Sequence, residues 1–99
     1  MPRIKTRYFA VVREIVGLKE EEIEVPEEAT LQDFIRILAE KYERLRNVIL
    51  DEDGNLKAGY NVAHNTTTIP KHQLDKKKVK DGDEVVILPP IGGGSRPQI

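Results

Sequence analysis

A single apolar stripe along residues 30–45 constrains the fold more than any other feature of this chain. At 100° per residue its apolar side chains fall within about 100° of arc, and they are Leu31, Phe34, Ile35, Leu38, Tyr42 and Leu45. Thr30 can cap the free backbone N–H groups, and Asp33 completes a capping-box pattern. The stripe predicts an amphipathic helix that buries one face against a sheet or another helix.

Strand patterns before and after this helix predict a small sheet. Residues 4–9 alternate with period 2, which puts Phe9 on the face opposite Tyr8. Residues 23–25 end at Pro26 and predict an antiparallel strand at or near an edge. Residues 60–64 predict a central strand. Residues 84–88 are apolar on both faces, which favours a position inside the sheet.

The remaining segments connect these elements. Residues 10–16 predict a short helix that ends at a Gly17 cap, residues 65–75 a polar loop, and residues 81–83 a tight turn. The predicted fold is α+β, with a small mixed sheet of four to five strands packed on one long helix plus short helices. The first and last strands are expected to be neighbours at the centre of the sheet.

Composition excludes several classes of function. The 99 residues suffice for one domain, and the absence of cysteine excludes a disulfide framework and a thiolate metal site. The 16 basic and 17 acidic residues nearly cancel, which gives no electrostatic case for nucleic acid or membrane partners. No apolar run approaches the roughly 20 residues of a membrane span, and no signal peptide is recognisable. We therefore expect a cytoplasmic protein.

The candidate catalytic and metal-binding residues do not form a set. His64 and His72 have no cysteine or suitably spaced carboxylate beside them, so ordinary surface or loop histidines are expected and no metal site is predicted. Residues 51–54 fail the spacing of a calcium loop and predict a turn. The only serine, Ser95, lies beyond the last glycines. We expect no internal catalytic residue.

The last strand runs directly into Pro89 and Pro90, and Gly92, Gly93 and Gly94 follow Ile91. Prolines cannot continue a sheet ladder, and residues without Cβ atoms can enter a tunnel too narrow for side chains. Residues 89–94 reach about 20 Å when extended. The chain is thus predicted to consist of a domain at residues 1–91 and a flexible glycine-rich tail at residues 92–99. A simple linker is the alternative, although little of the sequence follows it.

These motifs together resemble the MoaD/ThiS sulfur carriers, which are ubiquitin-like β-grasp proteins, and above all the small subunit of molybdopterin synthase. The matching stretches are IKTRYFA at residues 4–10, REIVG at 13–17, KDGDEV at 80–85 and LPPIGG at 88–93. Each motif alone is weak, but their order and spacing cover nearly the whole chain. The resemblance implies a β-grasp fold.

The resemblance also implies a function and partners. In the family, an activating enzyme adenylates the terminal glycine with ATP, and the glycine becomes a thiocarboxylate. The tail then enters the large synthase subunit and donates sulfur to form molybdopterin. The chain would be a non-catalytic sulfur-donating subunit with no bound cofactor, and by position its docking residues would be Phe9, Leu88, Pro89, Pro90 and Ile91.

One departure from the family pattern is that residues 95–99 follow the glycines. A thiocarboxylate cannot form on an internal peptide bond, so a protease would have to expose Gly94 or Gly93. Two other functions stay open: a ubiquitin-like modifier conjugated to lysines, and a β-grasp interaction domain without acyl chemistry. The sequence does not distinguish a molybdenum from a tungsten cofactor, and sulfur delivery for thiamine fits less well because of the paired prolines.

Overall fold

The computed structural model describes residues 1–90. Its elements follow the predicted order, with one additional strand, one additional α-helix and a 3₁₀-helix. The strands are β1 (Arg3–Arg7), β2 (Glu20–Glu24), β3 (Asn61–His64), β4 (Thr67–Ile69) and β5 (Glu84–Leu88). The α-helices are α1 (Ala10–Val16), α2 (Leu31–Lys41) and α3 (Glu43–Ile49), and Lys71–Gln73 forms a short 3₁₀-helix. The predicted α+β class with four to five strands is therefore confirmed.

The five strands form one mixed sheet in the order β2-β1-β5-β3-β4. β1 and β5 run parallel, and every other neighbouring pair is antiparallel. The first and last strands are thus neighbours, as predicted, and β5 occupies the centre. Its central residues Val85, Val86 and Ile87 are all buried, which explains why both faces of this strand are apolar.

β2 lies at a sheet edge, as predicted, and it is strongly charged. Its glutamates pair across the strands with arginines of β1: Arg3 lies 3.4 Å from Glu24, and Arg7 lies 3.6 Å from Glu20. These pairs are solvent-exposed and add little to stability. Charged side chains do, however, discourage another strand from pairing with a free edge.

Helix α2 begins as its sequence predicts. The Thr30 hydroxyl accepts the backbone N–H of Asp33, and the Asp33 carboxylate accepts that of Thr30, which completes the capping box. Phe34 and the other apolar residues of the stripe within α2 are completely buried. The helix ends at Lys41, because Tyr42 is extended (φ −120°, ψ 91°), and Leu45 then belongs to α3.

The structure corrects the predicted bounds of the first two strands. Strand β2 begins at Glu20 and ends at Glu24, whereas residues 23–25 were predicted. Strand β1 ends at Arg7 and not at Phe9, because Phe9 becomes the N-cap of α1. Helix α1 itself has the predicted bounds, and Gly17 closes it with φ of +86°.

The larger error concerns residues 65–75, which were predicted to be a loop but contain β4 and the 3₁₀-helix. Asn65 and Thr66 both have positive φ, 50° and 73°, as the two-residue turns of β-hairpins require. They return the chain so that Thr67 pairs with His64. Only Ile69 of β4 is buried, so this edge strand lacks the apolar alternation on which the prediction relied.

Candidate functional site

The parallel pairing of β1 with β5 brings the predicted docking residues to one end of the sheet. Arg7 pairs with Val86, so Phe9 and Leu88, each two residues further along, lie at the same end of the sheet. Phe9 is 43% exposed whereas Tyr8 is buried, which agrees with their predicted opposite faces, and Leu88 is half-buried. The parallel pairing thus brings together residues that are 79 positions apart in the sequence, such as Arg7 and Val86.

Two further apolar residues are exposed and lie close to Phe9, either along the chain or across the register of β1 and β2. The Tyr8 N–H donates to the Lys19 carbonyl at 2.9 Å, which extends the β1–β2 ladder and brings Leu18 opposite Phe9. Leu18 is 44% exposed and Val11 38%. Sequence reasoning missed both residues. In the sequence, Val11 and Leu18 are only apolar residues close to the two ends of a short helix. Apolar residues in such positions are often buried, so nothing indicated that these two are exposed. We call Phe9, Val11 and Leu18 the apolar patch.

The chain continues from β5 through two prolines. Pro89 is half-buried and Pro90 is exposed. Pro90 lies against Gly59, in the turn that leads into β3. The predicted site residues Ile91, Gly92, Gly93 and Gly94 lie outside the described residues, as does the predicted boundary at residue 91, so these assignments stay predictions.

The histidines occupy different environments. His64 lies 2.8 Å from Asp83 through its Nε2 atom, and the same carboxylate accepts from the Asn65 side chain and the Lys80 N–H. Burial alone would raise the pKa of Asp83, but these hydrogen bonds lower it overall. The cluster joins the β3–β4 hairpin to the start of β5, so we assign His64 a structural role. His72 is exposed, as expected.

A half-buried carboxylate on β2, that of Glu21, joins three side chains, and sequence reasoning did not single it out. Glu21 Oε2 accepts the hydroxyls of Tyr8 at 2.6 Å and of Tyr42 at 2.5 Å, while Oε1 accepts Lys41 Nζ at 3.0 Å. The two rings meet edge to face with centroids 6.4 Å apart. This cluster, the Tyr–Glu–Tyr cluster, fastens the end of α2 to β1 and β2. It thereby supports the backbone just before Phe9.

The pKa values in this cluster follow from its geometry. Burial is the main cause that raises the pKa of Tyr8 far above its ordinary value, and the hydrogen bond to Glu21 adds to it. The same two causes raise the pKa of Tyr42 to about 12. Burial opposes ionisation of Glu21 as well, but hydrogen bonds from Tyr42, Tyr8 and Lys41 lower its pKa overall. Glu21 is therefore an ionised acceptor between two neutral phenols.

Tyr42 is expected to ionise near pH 12 and not near the ordinary value of 10.0. Because its pKa is raised in the folded state, its contribution to stability is complete below pH 10 and is lost as the pH rises toward 12. Alkaline titration of phenolate absorbance, compared between wild type and Tyr42→Phe, isolates this group while circular dichroism monitors folding. Glu21→Gln removes the negative charge and is expected to lower the midpoint. A Tyr42 midpoint at 10.0 in folded wild type would contradict the assignment.

Residues 1–90 hold no cluster of three or more histidine or acidic side chains able to bind a metal ion. Within the same residues, no helix is long and apolar enough to cross a membrane. The end of β5 and the segment that contains Phe9 lie at the same end of the sheet, because Arg7 pairs with Val86. Exposed apolar side chains therefore lie at the end of the sheet where β5 ends.

Known proteins share this arrangement of elements. The family model described as the ThiS family matches residues 6–94. Small archaeal modifier protein 3 of Haloferax volcanii is 34% identical over 91 residues, which cover 92% of this chain and 98% of that protein. The molybdopterin synthase sulfur carrier subunit of Chlamydomonas reinhardtii is 32% identical over 92 residues, which cover 93% and 99%.

A solved structure supports the same relationship. A putative molybdopterin converting factor, subunit 1, from Pyrococcus furiosus has a TM-score of 0.73 at 32% identity. The match covers 92% of this chain and 100% of that one. The topology described above is that of the ubiquitin-like β-grasp. The chain therefore belongs to the ThiS family, the MoaD/ThiS sulfur carriers that its sequence motifs resemble.

Proposed function

We propose that this protein carries sulfur as a C-terminal glycine thiocarboxylate and donates it in the synthesis of molybdopterin. The observation that carries the proposal is the exit of the central strand through Pro89 and Pro90 toward the glycines, next to an exposed aromatic side chain. The family match ends at Gly94, which supports Gly94 as the reactive terminus. On this proposal residues 95–99 are removed first, by a protease.

The chemistry requires only a free glycine carboxylate on this chain. A carboxylate oxygen attacks the α-phosphorus of ATP, the bond to the β-phosphate oxygen breaks, and pyrophosphate leaves. Hydrosulfide then attacks the acyl carbon of the adenylate, AMP leaves, and a proton is released as the thiocarboxylate forms. Nothing is oxidised or reduced. The activating enzyme supplies the catalytic groups, so the chain acts as a substrate and sulfur donor without a bound cofactor.

The exposed apolar side chains at the end of the sheet where β5 ends are suited to contact a partner protein. Phe9, Val11 and Leu18 are exposed, and aromatic side chains surrounded by apolar neighbours are typical anchors of protein interfaces. We propose that Phe9, Leu88, Pro89, Pro90 and Ile91 contact the large synthase subunit around the entrance for the tail. The glycines would then extend into its active site, since they have no side chains to obstruct a narrow passage.

The direct test is the intact mass of the chain ending at Gly94 after incubation with ATP, its activating enzyme and sulfide. We expect one oxygen to be replaced by sulfur at the terminal glycine, and the product to convert a pterin precursor when the large subunit is added. Omission of ATP is the control and is expected to prevent the change. A mass that stays unchanged with an active enzyme would refute the carrier function.

A protein-modifier role is the second candidate, because the similar Haloferax protein is named a modifier. The same acyl adenylate would then react with a lysine amine of another protein, with AMP as the leaving group. Peptide mapping of host extracts would find glycine remnants on target lysines. Their absence, together with sulfur transfer in the mass assay, would leave the carrier role alone.

A further inference from the structure

Gly59 lies directly across from the point where the C-terminal tail begins. Strands β3 and β5 pair Asn61 with Leu88, and the same register continued two residues further brings Gly59 opposite Pro90. A Cβ atom built on Gly59 would lie 3.1 Å from the Pro90 Cβ and 3.6 Å from its Cγ. The shorter distance is tighter than ordinary van der Waals contact, so a side chain at this position would displace Pro90 by a few tenths of an ångström.

The contact between Gly59 and Pro90 lies beyond the point where the hydrogen bonds between β3 and β5 end. Pro89 and Pro90 have no backbone N–H to donate, and the hydrogen-bonded pairing of β5 with β3 ends at Leu88. Beyond that residue, packing determines the direction in which the chain leaves the sheet. The Pro90 ring lies against Gly59, so this contact holds Pro90 beside the turn that precedes β3.

We propose that Gly59 is a positioning residue for the C-terminal tail. By leaving room for the Pro90 ring, it fixes the position of Pro90, from which the chain continues to Ile91 and the glycines. This inference rests on the proposed function, because the direction of the tail matters only if a partner must receive it. Gly59 itself touches no reacting atom.

A substitution at Gly59 has two effects that must be separated. Its φ of +91° strains any L side chain, and its Cβ also meets Pro90. Gly82 provides the matched control, because its φ is +89° and a Cβ there would have nothing within 4 Å. Gly59→Ala and Gly82→Ala therefore share the backbone strain, but only the first displaces Pro90.

The test uses the chain ending at Gly94 with ATP and the activating enzyme, and it measures pyrophosphate release. We expect Gly59→Ala to lower kcat/KM about tenfold relative to Gly82→Ala, since small misplacements of a reacting group are costly. The two variants are expected to have similar melting temperatures. Equal activities of the two would overturn the proposal.

Pro90→Gly completes a double-mutant cycle, since it removes both ring atoms that a Cβ on Gly59 would meet. In the Pro90→Gly background, Gly59→Ala is expected to cause no more loss than Gly82→Ala does. An undiminished effect there would show that the contact with Pro90 is not the cause. If wild type releases no pyrophosphate, the proposed function fails and not merely the role of Gly59.

The contact can also be tested without any partner or activity. In the wild-type chain, a nuclear Overhauser effect is expected between the Gly59 α-protons and the Pro90 ring protons. This measurement applies even if Gly59→Ala does not fold. Its absence in folded wild type would overturn the proposal.

Discussion

The chain ending at Gly94 is expected to acquire sulfur, whereas the chain ending at Ile99 is expected to acquire none until its last residues are removed. The reason is chemical: in the longer chain the Gly94 carbonyl belongs to a peptide bond and offers no carboxylate oxygen to attack ATP. Intact mass of both chains after reaction with the activating enzyme, ATP and sulfide measures the difference directly.

A chain ending at Gly93 is the informative control for this experiment. It also ends in two glycines, but it is shorter by one residue, about 3.5 Å when extended. We expect it to react more slowly than the chain ending at Gly94, because its carboxylate falls short of the nucleotide. Faster reaction at Gly93 would move the reactive terminus to that residue. Sulfur on an uncleaved chain ending at Ile99 would contradict the proposed processing.

Replacing Glu21 with alanine is expected to lower the free energy of unfolding by about 2–4 kcal/mol, since it removes the acceptor of two tyrosine hydroxyls. Tyr8 is only 2% exposed, so its hydroxyl cannot turn to bulk water for a replacement. Urea unfolding of wild type and of Glu21→Ala, followed by circular dichroism, measures the loss of stability. Glu21→Gln keeps an acceptor oxygen and is expected to lose less.

Glu22→Ala is the matched control on the same strand. Glu22 is exposed, and it lies 3.7 Å from the exposed Arg3 guanidinium, so its removal is expected to change stability by no more than about 0.5 kcal/mol. Equal losses for Glu21→Ala and Glu22→Ala would show that the Tyr–Glu–Tyr cluster adds nothing beyond a surface charge.

The elements predicted correctly are those whose signal is local. The capping box at Thr30, the stripe that contains Phe34 and the Gly17 cap all lie within a few residues of the structure they specify. Strand β4 escaped prediction because an exposed edge strand needs little apolar patterning, and three consecutive threonines at residues 66–68 are equally compatible with a loop. The end of α2 at Tyr42 was missed because the apolar period continues through it.

The same distinction between predicted and missed residues applies to the candidate site. Sequence motifs and the family resemblance predicted Phe9, Leu88 and the proline pair as docking residues. Val11 and Leu18 were not identified, because exposure of an apolar side chain depends on what packs over it and not on its neighbours in sequence. The glycine tail remains a sequence-based prediction, since it lies outside the described residues.

The sequence alone determined the amphipathic helix, the apolar central strand and its end at two prolines, because backbone propensity and periodicity act over short distances. Only the tertiary structure decided which distant residues meet. Glu21 is one of three consecutive glutamates, and it differs from the others only because Tyr8 and Tyr42 converge on it. Gly59 gains its role only opposite Pro90. Such pairs depend on strand register and helix packing, which no local pattern specifies.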